Sequence, residues 1–353
     1  MLSFIYDILP SRVIFGAGCL NHLPAEIERL GCTKALVLST PEQRETGLEI
    51  ANRLGAQAVG LFDRAVMHVP IEIAQAARAE VQRLGADCCV AVGGGSTTGL
   101  GKAIALTSNL PILAIPTTYA GSEMTPIWGI TEAGRKTTGR DPRVLPKTVL
   151  YEPALTVTMP AQLSVTSAIN AMAHCVEALY ARDANPIISM LAEDAIRAFA
   201  QSLPGVMKNP YDLEARAKAQ YGAWLGGVSL GAVGMALHHK LCHTLGGTFN
   251  LPHAETHTIV LPHATAYNAQ AAPEAMSRVA RALGVSSAAP GLFDLADSLG
   301  APVALRAIGM KESDLDQAAE IASQNPYYNP RPVTREGIRA LLQDAFEGRR
   351  PQV

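Results

Sequence analysis

The residues best suited to chemistry lie in one stretch, Leu237 to His257, which holds five of the nine histidines. His239 and His243 are four apart, so on a helix they share one face. His253 and His257 repeat the spacing. Between the pairs stand Gly246-Gly247, Asn250 and Pro252. That composition predicts a helix end, a loop and a new helix start. Two helices would then aim two imidazole pairs at one cavity. Imidazoles grouped this way can bind a metal, relay protons or donate to a developing oxyanion. A third spacing of four joins Asn170 to His174, with Glu177 one turn further.

A second group precedes these. Asp87-Cys-Cys-Val-Ala-Val92 runs into Gly93-Gly-Gly-Ser-Thr-Thr-Gly-Leu-Gly-Lys102. A strand, a glycine cluster and a helix start form a phosphate cradle: bare backbone N–H groups approach the anion and the helix N-terminus favours its charge. Gly94, Gly95, Ser96 and Thr97 are its candidate contacts. The next apolar run, Ile112 to Ile115, ends in Pro116-Thr-Thr-Tyr-Ala-Gly-Ser-Glu123, whose Thr117, Thr118 and Ser122 could meet a nucleotide. Ala35-Leu-Val-Leu38 ends in Ser39-Thr40, with no acidic residue to grip a ribose and no charge to repel a 2′-phosphate. Either NADH or NADPH is therefore expected.

The elements that must position these groups alternate in the first half. Strands are predicted at 11–18, 35–38, 59–62, 87–92 and 112–115, with helices near 23–30 and 71–84. The segment 141–153 reads as extended chain leaving this domain. From Met159 onward the pattern is helical: 161–180, 187–203, 212–224, 225–246, 253–268, 273–284, 290–299, 312–324 and 334–347. The expected architecture is an α/β, Rossmann-like N-terminal domain (1–155) with a mainly parallel sheet, and an all-α catalytic domain (156–353), with the active site in a cleft between them.

Composition narrows the functional classes. The 353 residues carry a net charge of −2 and no basic run, which argues against nucleic-acid binding. No apolar run reaches membrane-spanning length; 222–237 comes nearest and its glycines suggest a close-packed buried helix. The opening Met1-Leu-Ser-Phe-Ile-Tyr-Asp7 lacks the basic start of a signal peptide. The six cysteines have no zinc-type pairing and fit reduced thiols in a cytoplasmic protein.

Taken in order, Gly93-Gly-Gly-Ser96 with Lys102, Pro116 to Glu123, Asn170-Ala-Met-Ala-His174 and His239-x3-His243-x9-His253 resemble the iron-containing (group III) alcohol dehydrogenase family over nearly the whole chain. The resemblance implies a dehydroquinate synthase-like two-domain fold, a nicotinamide cofactor, a homodimer and a divalent metal held at Asn170, His174, His239 and His253, with His243 as a further active-site histidine. Two positions depart from the family pattern. Its metal-binding Asp is Asn170 here, a neutral and poorer ligand, and the Asp of its glycine motif is Gly99. Both departures, with the opening Phe4-Ile-Tyr-Asp7, resemble the branch that reduces maleylacetate. That implies NAD(P)H-dependent reduction of the C=C bond of a small dicarboxylate, giving 3-oxoadipate in the breakdown of aromatic compounds, with no requirement for the metal. His243, His253, His239, His174 and Lys240 are the candidate catalytic residues. Lys240, Arg140, Arg143, Lys147, Arg331 and Tyr327 are candidates for the substrate carboxylates. The competing readings are a metal-dependent alcohol or polyol dehydrogenase, a synthase of the dehydroquinate type and a non-catalytic nucleotide binder.

Overall fold

The computed structural model describes Phe4, Tyr6, Asp7, Leu9 and residues 11–324 and 327–352. Met1 to Ser3, and Ile5 of the opening motif, lie outside the described residues. The chain forms two compact units; the α/β unit ends at Met159 rather than 155, and the described residues Phe4, Tyr6 and Asp7 group with the helical unit that resumes at Pro160.

The first unit is built on a six-stranded sheet, all parallel, in the order β1-β8-β5-β4-β2-β3. Its strands are β1 (Arg12–Phe15), β2 (Ala35–Leu38), β3 (Ala58–Phe62), β4 (Cys88–Gly93), β5 (Ile112–Pro116) and β8 (Thr148–Tyr151). Four helices cover it: α1 (Leu23–Arg29), α2 (Arg44–Leu54), α3 (Ile71–Leu84) and α4 (Gly95–Ser108). The pleat sorts β4 between two cores. Cys88, Val90 and Val92 pack with Leu23, Ile27, Ile50 and Leu54 of α1 and α2. Cys89 and Ala91 pack with Ala74, Ala77, Leu100 and Ile104 of α3 and α4. Burial on both faces is why these strands read as unbroken apolar runs.

Three features of this unit differ from expectation. The segment read as leaving the domain supplies β8, which pairs with both β1 and β5. A two-stranded antiparallel hairpin, β6 (Ile127–Glu132) and β7 (Arg135–Arg140), stands outside the main sheet. Its strands are half-buried or exposed, so they lack the apolar run that signals a core strand. Helix α2 has few apolar positions and escaped the pattern as well; Gly47, Ile50 and Leu54 are its buried residues.

The second unit is helical: α5 (Ala161–Ala178), α6 (Pro186–Lys208), α7 (Leu213–Ala232), α8 (Leu237–Phe249), α9 (His253–Asn268), α10 (Pro273–Leu283), α11 (Ala288–Ser298), α12 (Leu315–Ser323) and α13 (Arg335–Glu347). Helix α5 is buried on nearly every side from Ser164 to Ala178, between α6, α7 and α9. Gly226 of α7 allows the closest approach: a Cβ there would lie 3.1 Å from the Ala171 carbonyl oxygen. A second core joins Leu237, Leu241 and Leu245 of α8 to Ile259 and Val260 of α9, Leu315 and Ala319 of α12 and Ile338 and Leu342 of α13.

The helix boundaries at 224–225 and 246 are corrected. Helix α7 runs through Gly226-Gly227 to Ala232, and the break falls at Val233–Ala236. Helix α8 runs through Gly246-Gly247 and stops at Asn250, which takes the left-handed conformation (φ 53°). Two glycines in a helix cost roughly 1 kcal/mol each relative to alanine, and the buried Leu241 and Leu245 on the same helix offset that. Among the described residues no helix is long and apolar enough to cross a membrane.

Candidate active site

Helix α5 sets the floor of the site. Asn170, His174 and Glu177 recur at four and three residues, so they share one face. All three are buried. Asn170 Oδ1 and His174 Nδ1 have no hydrogen-bond partner. Helix α8 brings His239 against them, with the His174 and His239 rings 5.1 Å apart. Burial first, then the neighbouring His239, His253 and His243, hold His174 well below the ordinary histidine range. It is therefore a neutral imidazole at pH 7.

The adjacent histidines of α8 take different partners. The His239 Nδ1–H donates to Glu177 Oε2 at 2.7 Å, which leaves Nε2 buried, unpartnered and free to accept. Glu177 also accepts from two backbone N–H groups at the start of α8: Ala236 at 2.8 Å and His238 at 2.7 Å. His238 Nε2 instead pairs with His257 Nδ1 of α9 at 2.9 Å, and Cys242 Sγ lies 3.6 Å from the same nitrogen. Burial holds His238 and His257 well below the ordinary range, so this is a bond between neutral rings.

His243 and His253 differ from this buried group in being exposed. The His243 ring lies 6.2 Å from His239 and the His253 ring 4.3 Å from His257. Lys240 is half-buried, with Nζ 5.8 Å from the centre of the Tyr327 ring. The Tyr327 hydroxyl is buried and unpartnered, and its acidity is suppressed chiefly by burial.

The donor set fits a divalent ion in type. Asn170 Oδ1 and His239 Nε2 are buried acceptors without partners beside the His174 ring, and imidazole suits iron and zinc. It is weaker in charge, because Asn170 brings no negative charge to the ion.

The first unit carries the phosphate cradle. Gly93 ends β4 at φ 147°, Gly94 caps α4 and Gly95 opens it. A Cβ on Gly93 would collide with Thr97 Oγ1 and Gln43 Oε1, and one on Gly94 would lie 2.9 Å from Thr118 Cγ2. Gly93, with its positive φ, thus requires bare glycine backbone, and a side chain at Gly94 would have to displace that of Thr118. Ser39, at the end of β2, and Thr97 are buried with unpartnered hydroxyls. Thr117 Oγ1 accepts from Gln43 Nε2 at 2.7 Å, a partner the sequence did not point to. Ser122 is committed to the protein: its carbonyl and hydroxyl accept from Lys102 Nζ at 2.6 and 3.1 Å. Lys102 also donates to Thr125 Oγ1 and the Ile127 carbonyl. Burial pushes its ammonium down to about 7 against the opposing pull of Glu123. Gly99, which replaces the family Asp, packs under Val69: a Cβ would meet Val69 Cγ2 at 2.9 Å. A larger side chain there would require the Val69 side chain to shift.

Two of the carboxylate candidates are engaged elsewhere, and a third lies far from the cradle. Arg143 pairs with Asp141 at 2.6 Å. Arg331 stacks on Tyr267 and donates to its carbonyl. Lys147 precedes β8 beside Ser11 and Arg12, at the end of the parallel sheet opposite the glycine cradle. Arg140 is exposed at the end of the β6–β7 hairpin. Lys240 and Tyr327 are the pair that the fold brings together.

Comparison with known proteins agrees with this arrangement. Residues 10–153 match the iron-containing alcohol dehydrogenase family, and residues 164–346 match the C-terminal part of the Fe-containing alcohol dehydrogenase family. The chain is 60% identical to a maleylacetate reductase of Burkholderia cepacia, over 99% of this chain and all of the relative. Among solved structures it is similar to an alcohol dehydrogenase of Ralstonia eutropha JMP134, with 64% identity, a TM-score of 0.98 and full coverage of both chains. It is also similar to maleylacetate reductase from Agrobacterium tumefaciens, with 54% identity and a TM-score of 0.97 over 99% of this chain and 100% of that one. With both halves matched and the histidines of α5, α8 and α9 gathered as described, the chain belongs to the iron-containing alcohol dehydrogenase family.

Proposed function

We infer that the chain is an NAD(P)H-dependent maleylacetate reductase, converting the C=C bond of maleylacetate to give 3-oxoadipate. The observation that carries this reading is Asn170, a neutral amide in the family's carboxylate place beside buried His174 and His239. The full-length likeness to proteins of that name supports it.

The substrate has an alkene conjugated to a ketone and a carboxylate at each end. Hydride from nicotinamide C4 adds to the carbon β to the ketone, and charge develops on the ketone oxygen as an enolate. Hydrogen-bond donors preplaced at that oxygen lower the barrier. His243 and His253, exposed where His174 and His239 are buried, are suited to reach substrate. His243 delivers the proton to the neighbouring carbon. Lys240, with its Nζ 5.8 Å from the centre of the Tyr327 ring, takes one carboxylate. Glycines 93–95 and the start of α4 receive the dinucleotide pyrophosphate. With Ser39 and Thr40, not an acidic residue, directly at the end of β2, either nicotinamide dinucleotide is accommodated.

Asn170, His174, His239 and His253 would hold a divalent ion, which would supply a Lewis acid to a substrate oxygen. Alkene reduction needs that help less than carbonyl reduction does, so turnover is expected without the ion. We place the enzyme in the catabolism of aromatic compounds, as a cytoplasmic homodimer; its six buried free cysteines suit a reducing compartment.

The test is NADH oxidation with maleylacetate, using chelator-treated protein analysed for metal. Turnover with negligible metal supports the reading. Turnover that returns only with added iron or zinc, or only with simple aldehydes and ketones, favours a metal-dependent alcohol dehydrogenase, for which the unpartnered Asn170 Oδ1 and His239 Nε2 are suited.

A further inference from the structure

We propose that Glu177 is a positioning residue that sets the tautomer of His239, and with it the chemical character of the site's buried nitrogen. Free neutral imidazole in water favours the proton on Nε2. The structure requires the opposite. Glu177 Oε2 receives the His239 Nδ1–H at 2.7 Å, so the proton is held on Nδ1 and the lone pair of Nε2 faces inward, buried and unpartnered.

Three observations make the carboxylate specific to this task. Glu177 is fully buried, where a carboxylate persists only if its oxygens are well satisfied. Both oxygens are satisfied by α8 itself: Oε1 by the His238 N–H, and Oε2 by the Ala236 N–H as well as the imidazole. The same group therefore anchors the helix start that carries His239 and orients its ring. Finally, Glu177 lies on the face of α5 that carries Asn170 and His174, so one helix supplies two members of the site and the group that orients the third.

The consequence is a division of roles. His239, with Nε2 bare, accepts a hydrogen bond or binds a cation. It does not donate to an enolate. Donation falls to the exposed histidines. Hydrogen-bond partners of this kind behind a metal-ligating histidine are worth ~10–100-fold in metal affinity or activity, and the same scale is taken for His239. The turnover part of this inference rests on the reductase reading; the tautomer part does not.

The experiment is a long-range ¹H–¹⁵N correlation spectrum of ring-labelled, chelator-treated full-length protein. The His239 signals are assigned by their loss in His239→Asn. In the wild type, Nδ1 is expected to be protonated and Nε2 bare. In Glu177→Leu the proton moves to Nε2, and kcat for maleylacetate falls ~10–100-fold while the KM for NADH is unchanged. Glu177→Asp, which keeps an acceptor, retains the Nδ1–H form and recovers much of the turnover. A wild-type His239 protonated on Nε2 overturns the proposal. So does Glu177→Leu that loses turnover with the proton still on Nδ1, since the role is then only structural. Should Glu177→Leu fail to fold, the wild-type and Glu177→Asp spectra decide in the same way. If maleylacetate is not reduced but the tautomer follows Glu177, the reductase reading falls and this assignment stands.

Discussion

His238 Nε2 of α8 lies 2.9 Å from His257 Nδ1 of α9, a bond between two fully buried rings. It ties together the helices that carry His239, His243 and His253. Replacing His257 with Phe keeps a planar ring there and leaves His238 Nε2 with only the weak Cys242 Sγ contact at 3.6 Å. A buried polar group so stranded costs about 1–3 kcal/mol. The urea midpoint of His257→Phe should fall accordingly; an unchanged midpoint would show that the pair adds nothing to stability.

Asn170→Asp restores the charged oxygen that the family pattern places beside His174 and His239. Affinity for Co²⁺ or Zn²⁺ should rise by roughly ten-fold or more, judged against the effect of lesser changes around metal ligands. Calorimetric titration of chelator-treated protein measures it. Equal affinities in both forms would mean that Asn170 does not face the ion.

His243 is exposed, 6.2 Å ring to ring from His239, and is the proposed proton donor. Loss of a general acid typically costs about 10²–10⁴-fold. His243→Ala should lose turnover on that scale while fluorescence titration still detects NADH binding. Near-normal kcat would remove the residue from the mechanism.

Gly93 sits at φ 147°, with Thr97 and Gln43 where a Cβ would go. Gly93→Ala must shift the turn between β4 and α4, spoiling the approach of backbone N–H groups to the pyrophosphate. The KM for NADH should rise, with a smaller change in KM for maleylacetate. A rise in the maleylacetate KM alone would place the dinucleotide elsewhere.

Burial pushes His263 of α9 down to about 4 from its ordinary 6.5, partly opposed by Asp344. Between those values the unfolded chain binds a proton that the folded chain refuses. Stability therefore rises with pH from 4 to 6.5 and is lost on acidification through that window. The contribution is at most ~3 kcal/mol. Buried His174, His238 and His257 add in the same direction. His263→Leu should flatten the pH dependence of the unfolding midpoint; an unaltered profile would assign the acid sensitivity to the other histidines.

Much of this molecule is legible from local spacing. A run such as Val90-Ala-Val92 ending in Gly93-Gly-Gly95 already states a buried strand feeding a helix, because the apolar run and the glycines act within a few residues. Asn170, His174 and Glu177 share a face for the same reason. Spacing also shows that His239 and His243 lie together; that an amide stands in a carboxylate's place is what the family resemblance implies. Spacing does not reveal which way neighbouring rings turn. His238 and His239 are adjacent and chemically identical, yet one pairs with His257 and the other with Glu177, because α8 is anchored by two backbone bonds to a carboxylate sixty residues earlier in the chain. Long-range pairing likewise places 148–151 between β1 and β5, carries α8 through Gly246-Gly247, and sets Lys147 at the far end of the sheet from the cradle. Local propensity states which residues can act. Contacts between distant segments, which close only when the core packs, decide which of them meet.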